Sequence, residues 1–112
     1  MIPIRELDRD RDRRGIEAID TSFETSSIFE IVTTARRLDL VERALDAPRT
    51  KRYAIAEVFA PWAQWDVGWV ADDGEVRGVA TVEHEPWHQR LTLWFLYVAP
   101  AWRRRGVGRA LL

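Results

Sequence analysis

The sequence predicts a mixed α+β fold, a mainly antiparallel sheet flanked by helices. Three features lead to it. Residues 65–83 read as two strands joined by the turn Asp72, Asp73, Gly74 and Glu75. Residues 91–98 form an apolar run, the pattern of a strand covered by helices on both faces. That run bends at Ala99 and Pro100, passes Arg103, Arg104 and Arg105, and reaches Gly106, Val107 and Gly108 ahead of the helix formers Arg109, Ala110, Leu111 and Leu112. Strand, glycine-rich turn and helix start follow one another directly.

The elements can be justified in order. Residues 2–7 alternate apolar and polar side chains, which suits a short strand with Pro3 near its start. Early carboxylates at Asp8 and Asp10 favour a helix N-terminus, and Ile16, Ile19 and Phe23 recur at helical spacing. An amphipathic helix over roughly residues 10–21 is predicted, weakened by Gly15 by about 1 kcal/mol relative to Ala. The alternating Asp and Arg of residues 8–14 read as its solvated face.

Residues 27–34 are rich in β-branched and aromatic side chains and read as a strand. Residues 38–45 fit either the second strand of a hairpin or a helical turn, and a strand is the choice taken here. Residues 46–52 read as a loop, and 53–60 as a short helix ended by Pro61. Strands are expected at 65–71 and 76–83, a break at 86–89, and the apolar strand at 91–98.

Composition bounds the rest. A chain of 112 residues with six Trp and four Phe can bury a core as one domain. No repeat or low-complexity linker divides it, so a single domain over 1–112 is expected. A formal net charge of −1 gives no general affinity for nucleic acid or membranes. The absence of cysteine removes disulfides, thiolate metal sites and a Cys nucleophile. The N-terminus lacks the features of a signal peptide, and no stretch approaches the roughly 18 apolar residues of a membrane helix, so a soluble, cytoplasmic protein is expected. His84, Glu85 and His88 flank Pro86 with no further ligand nearby, so no metal site is expected, and two histidines so placed make no Ser-His-Asp arrangement.

The turn carries the chemistry. Two glycines at spacing two let the backbone take positive φ and turn several N–H groups toward one anion. Each hydrogen bond to a charged oxygen is worth about 1.5–3 kcal/mol. Arg103, Arg104, Arg105 and Arg109 add steering charge. An oxyanion such as phosphate is the ligand class this pattern serves.

Leu96, Val98, Pro100, Arg103, Gly106, Gly108 and Leu111 together resemble the acetyl-CoA-binding motif of the GNAT N-acetyltransferase superfamily, an aliphatic strand, Pro, then Arg/Gln-x-x-Gly-x-Gly/Ala. The resemblance is to its streptothricin-type members, with the specific part at 65–112 and a paired extended insert expected across 27–45. It implies a strand that is bulged and splays from its neighbour to form a slot for pantetheine. The backbone of Leu96 would meet the thioester carbonyl, Tyr97 would lie in the same slot strand, and Val98 would pair with pantetheine amides. Backbone N–H groups from Arg104 through Arg109, Val107 among them, would hold the pyrophosphate.

The implied activity is direct transfer of an acetyl group from acetyl-CoA to a primary amine of a small molecule or peptide. Candidates for the base are Glu83, His84 and Glu85, with strand alternation putting Glu83 and Glu85 on one face and His84 on the other. Asp20 and Glu24 are candidates for contact with a cationic acceptor. The family's usual acid, a tyrosine on a later helix, has no counterpart in this sequence, and Tyr97 reads as packing. Trp62, Trp65, Trp69, Trp94 and Trp102 read as core and slot walls, with Trp87 on a loop able to stack on a substrate.

Family members continue past the turn helix with another strand, another helix and a closing hairpin. The chain is therefore expected to be a truncated domain, with residues 91–98 as an exposed apolar edge. Three readings follow: an acetyltransferase whose activity belongs to the complete protein, a half-domain completed by a partner or as a homodimer through strand 91–98, and a non-catalytic module for CoA or another phosphorylated ligand.

Overall fold

The computed structural model describes residues 1–112. In chain order the elements are β1 (Ile4–Glu6), α1 (Arg9–Glu17), β2 (Phe23–Thr34), β3 (Arg37–Lys51), a 3₁₀ turn (Ile55–Phe59), β4 (Val67–Asp72), β5 (Val76–Glu85), β6 (Arg90–Val98), a second 3₁₀ turn (Pro100–Trp102) and α2 (Val107–Leu111). They form two compact units, Met1–Thr21 with Ala54–Leu112, and Ser22–Tyr53.

The first unit is a four-stranded antiparallel sheet in the order β1-β4-β5-β6. Neighbouring residues of its central strands point to opposite faces, and each face has its own helix. Val70 and Val79 pack with Ile16 and Ile19 of the α1 side. Ala71 and Ala80 pack with Ile2 and with Val107 and Leu111 of α2. Close approach explains two glycines. A Cβ at Gly78 would lie 3.1 Å from Leu111 Cδ1 and 3.2 Å from Val107 Cγ1, and one at Gly15 would lie 3.0 Å from Val76 Cγ2. The propensity lost at Gly15 is thus offset by the contact of helix and sheet.

Helix α1 begins one residue earlier than predicted and ends well before residue 21. Asp8 caps it, its carboxylate accepting from the amides of Asp10 and Arg11. The helix closes at Glu17, and Ile19 reaches the core from beyond its end. Phe23, which shares the helical spacing, belongs to β2 instead.

The reading of residues 8–14 as a solvated face fails at Asp12, which is 2% exposed. Its carboxylate receives both arms of Arg5, Nη1 to Oδ2 at 2.8 Å and Nη2 to Oδ1 at 2.7 Å. The amide of Asp8 donates to the same group at 2.8 Å, and Arg5 also donates to Asp72. One guanidinium thus ties β1, α1 and the end of β4 together. Arg5 holds the Asp12 and Asp72 carboxyls below the ordinary carboxylate range.

The second unit is a two-stranded antiparallel ribbon of β2 and β3. Strand is the correct choice for 38–45, but the loop expected at 46–52 is wrong, because β3 runs on to Lys51. Its register shifts between Thr25 and Ser27, where Thr25 faces Arg49 and Ser27 faces Ala44. Pro48 falls in that irregular stretch, where a missing N–H breaks no ladder.

The remaining differences are at element ends. The first strand shortens to Ile4–Glu6, and the expected helix at 53–60 is the 3₁₀ turn Ile55–Phe59. The strand expected at 65–71 starts at Val67, and its return strand extends to Glu85. Of the tryptophans assigned to the core, only Trp65 is buried, with its indole N–H donating to Val58 O at 2.6 Å. Trp62 and Trp87 are 55% and 81% exposed.

Candidate functional site

The strand that opens the motif is the outer strand of the sheet, and it is bulged. Thr81 pairs with Phe95 and Val82 with Leu93, so Trp94 is an additional residue of β6 with no counterpart on β5. Such a bulge puts two consecutive side chains on one side and bends the strand. Tyr97 stacks at 6.2 Å on Phe95 and packs on the α1 side, whereas Leu96 and Val98 pack on the α2 side. Central coverage on both faces therefore holds for residues 96–98. Leu91 and Leu93, at the other end of the strand, are 61% and 45% exposed.

The bulge is also where a buried hydroxyl lacks a partner. Thr81 is fully buried and its Oγ1 makes no hydrogen bond. Buried polar groups are normally paired, so this site is one of local frustration.

After β6 the chain turns through Pro100–Trp102 and two left-handed residues, Arg104 at φ 62° and Gly106 at φ 82°. A Cβ at Gly106 would meet nothing within 4 Å, so glycine is required here for backbone conformation and the space beside it is open. Ala110 is the amide that closes on Gly106 O, at 3.0 Å, and the amides of Val107, Gly108 and Arg109 ahead of it have no intrahelical partner.

The arginines divide by role. Arg103 is structural, donating from Nε to Val98 O at 2.9 Å and from Nη2 to Asp20 O at 3.0 Å. Asp20 is thereby a carbonyl anchor for the turn. Arg105 lies 4.7 Å over the Trp102 ring. Arg104 and Arg109 are exposed and form no ion pair. A recess of about 420 Å³ lies beside the turn, with Trp102, Arg105, Gly106 and Val107 in its wall. A larger one of about 790 Å³ lies between the end of α1, the β4–β5 turn and residues 99–102.

The candidate bases lie at the other end of the strands. Glu83 faces Thr92 and Gly78 faces Val98, a separation of roughly 17 Å along the sheet. Glu83 accepts from the indole N–H of Trp94 at 3.0 Å and has no ion-pair partner. Glu85 forms an ion pair with Arg90 at 3.0 Å and a hydrogen bond with the Thr92 hydroxyl, which together lower its carboxyl below the ordinary range. His84 is exposed, and its backbone amide lies 3.3 Å from an Asp66 carboxylate oxygen. Glu24 belongs to the ribbon. The structure thus joins Glu83 to the bulge and separates it from His84. No group of three His, Cys, Asp or Glu residues is placed to hold a metal ion, and no helix is long and apolar enough to cross a membrane.

Sequence reasoning from the residues missed the Trp94 bulge, the neighbouring Trp62 and the Arg5–Asp12 clamp. The run from Leu93 to Val98, apolar throughout, has no alternation for a bulge to break. Its position is invisible in composition.

The sequence model of the acetyltransferase (GNAT) family matches residues 28–112. The chain is 35% identical over 112 residues to a streptothricin acetyltransferase of Streptomyces lavendulae, covering 93% of this chain and 59% of that protein. It is similar in structure to nourseothricin acetyltransferase, with a TM-score of 0.76 and 34% identity over 97% of this chain and 61% of that one. A Bacillus anthracis protein solved in complex with acetyl coenzyme A shares the fold, with a TM-score of 0.67 at 18% identity over 99% of this chain and 63% of that one. The chain spans about three fifths of the length of these relatives.

Proposed function

The chain belongs to the acetyltransferase (GNAT) family, and from that premise we propose that it binds acetyl-CoA and serves acetyl transfer to the primary amine of a small cationic acceptor of the streptothricin class. The observation that carries this reading is the continuous bulge, Pro100 and positive-φ Gly106 in one strand and turn. Open space at Gly106 and unpaired amides at Val107, Gly108 and Arg109 fit a pyrophosphate group. Exposed Arg104 and Arg109 supply charge, Arg103 fixes the turn, and the open edge of β6 at Leu96, Tyr97 and Val98 fits an extended amide-bearing arm.

Acetyl-CoA supplies the acetyl group as a thioester. The acceptor nitrogen must shed a proton before its lone pair attacks, and the departing sulfur must gain one. Of the three candidate bases, Glu83 fits best. It adjoins the bulge and has no cation of its own, whereas Glu85 is engaged by Arg90 and Thr92 and His84 lies apart from that pair. The streptothricin and nourseothricin relatives favour a cationic antibiotic acceptor.

The test is a thermal melt read by tryptophan fluorescence. Acetyl-CoA at a hundred times its dissociation constant is expected to add about 2.7 kcal/mol of stability. Gly106→Val, strained by about 1–2 kcal/mol at positive φ, is expected to lower the baseline and to abolish most of the added increment. A wild-type melt indifferent to acetyl-CoA would overturn the reading. The apolar outer strand also favours a second reading, pairing of two copies along β6, which light scattering checks by mass.

A further inference from the structure

Beside the bulge lies an arrangement that the transfer reading does not require. Trp62 follows the 3₁₀ turn, is 55% exposed, and has its ring centroid 6.4 Å from that of Trp94 with the planes tilted by 41°. The Trp94 indole N–H is given to Glu83, and that carboxylate is partly buried with no arginine, lysine or histidine paired to it. Other carboxylates on or beside this sheet are matched: Glu85 with Arg90, Asp73 with Arg77, Asp12 and Asp72 with Arg5. A carboxylate without an ion-pair partner, held at the edge of one indole whose ring neighbours a second, leaves negative potential unmatched, and ring faces also carry negative charge density.

We propose that Trp62, Trp94 and Glu83 form a receptor for an ammonium group, the group by which the acceptor is held at the bulge. This rests on the transfer reading for its purpose, and on the geometry alone for its chemistry. Glu83 supplies the counter-charge and the Trp62 and Trp94 rings supply faces for the remaining N–H or C–H groups of the cation. The Trp94–Glu83 hydrogen bond fixes the orientation of the carboxylate, and the bulge brings Trp94 to it. Trp62 is a specificity residue in this arrangement, as it takes no part in proton transfer.

The experiment titrates choline, a cation that cannot be acetylated on nitrogen, against its neutral isostere 3,3-dimethylbutanol while following tryptophan fluorescence. Choline is expected to give a saturable change and the alcohol none. Trp62→Ala, at an exposed position, is expected to weaken choline binding about 5- to 30-fold, as loss of a cation–π contact does. Glu83→Gln, which keeps an oxygen for the Trp94 N–H, is expected to weaken it at least as much. Acetyl-CoA stabilisation should be unchanged by Trp62→Ala. Equal responses to the two probes, or wild-type choline affinity in either variant, would overturn the proposal while leaving the transfer reading standing. A choline response without any acetyl-CoA stabilisation would uphold the receptor and remove the transfer reading instead.

Discussion

The sheet unit and the ribbon unit are both antiparallel, yet they are stabilised in different ways. In the sheet, Val70, Ala71, Val79 and Ala80 are fully buried, with a helix on each face. In the ribbon no residue of Ser22–Tyr53 is buried, and Phe29, Ile31, Leu38 and Leu40 are each more than 60% exposed. Alternation explains both. Register places Phe29 and Ile31 on one face with Leu40 opposite Ile31, an apolar side much like those of the sheet, but here with no helix over it. The ribbon is held by its ladder and by exposed pairs such as Glu30 with Arg43 at 2.6 Å, each worth under about 1 kcal/mol. An amphipathic strand pattern predicts a face to be covered; it does not supply the cover.

This contrast can be broken most forcefully at the clamp. Removing the cationic partner of the buried Asp12, by Arg5→Ala, is expected to cost about 3–5 kcal/mol in urea unfolding, since it strands the Asp12 carboxylate. The same pair sets the acid response. The Asp12 and Asp72 carboxyls lie below their ordinary value of 3.8, so their stabilisation is complete above it and is lost as pH falls through the lower folded values. Unfolding measured against pH should therefore steepen below about 4, and Asp12→Ala should flatten that dependence.

A smaller effect sharpens the comparison directly. Ile16→Ala, fully buried under α1, is expected to cost about 2–5 kcal/mol, and Ile31→Ala, 65% exposed in the ribbon, under about 1 kcal/mol. Equal costs would show that the ribbon face is covered in solution. The smallest change is expected at the bulge. Thr81→Val replaces a buried hydroxyl without a partner by a methyl group and should raise stability by about 1 kcal/mol in the same denaturation series.

Much of this was legible in the residues. The β4–β5 turn, the apolar β6 and the glycine turn announce themselves through local chemistry: an Asx turn in which Asp72 Oδ1 accepts from the Gly74 amide, a strand apolar from Leu93 to Val98, and a φ that glycine takes without strain. Helix α1 was legible in its existence but not in its length, because Ile19 and Phe23 continue its spacing after the chain has left it. At Asp12 the pattern misled. Alternating charges look alike whether a carboxylate meets water or a guanidinium from another strand.

Sequence alone determined the elements whose causes are local: the succession of strands along the chain, the glycine at a positive-φ corner, and the membership of a family through the strand-turn motif. Tertiary structure decided everything that depends on a residue distant in sequence. It set which Asp is buried against Arg5, where one extra residue enters β6, and that Trp62, Trp94 and Glu83 share one spot. The reason is that local propensity acts through a residue's own backbone and nearest neighbours, whereas charge matching, bulge register and ring contacts are energies between segments, defined only once the sheet has brought them together.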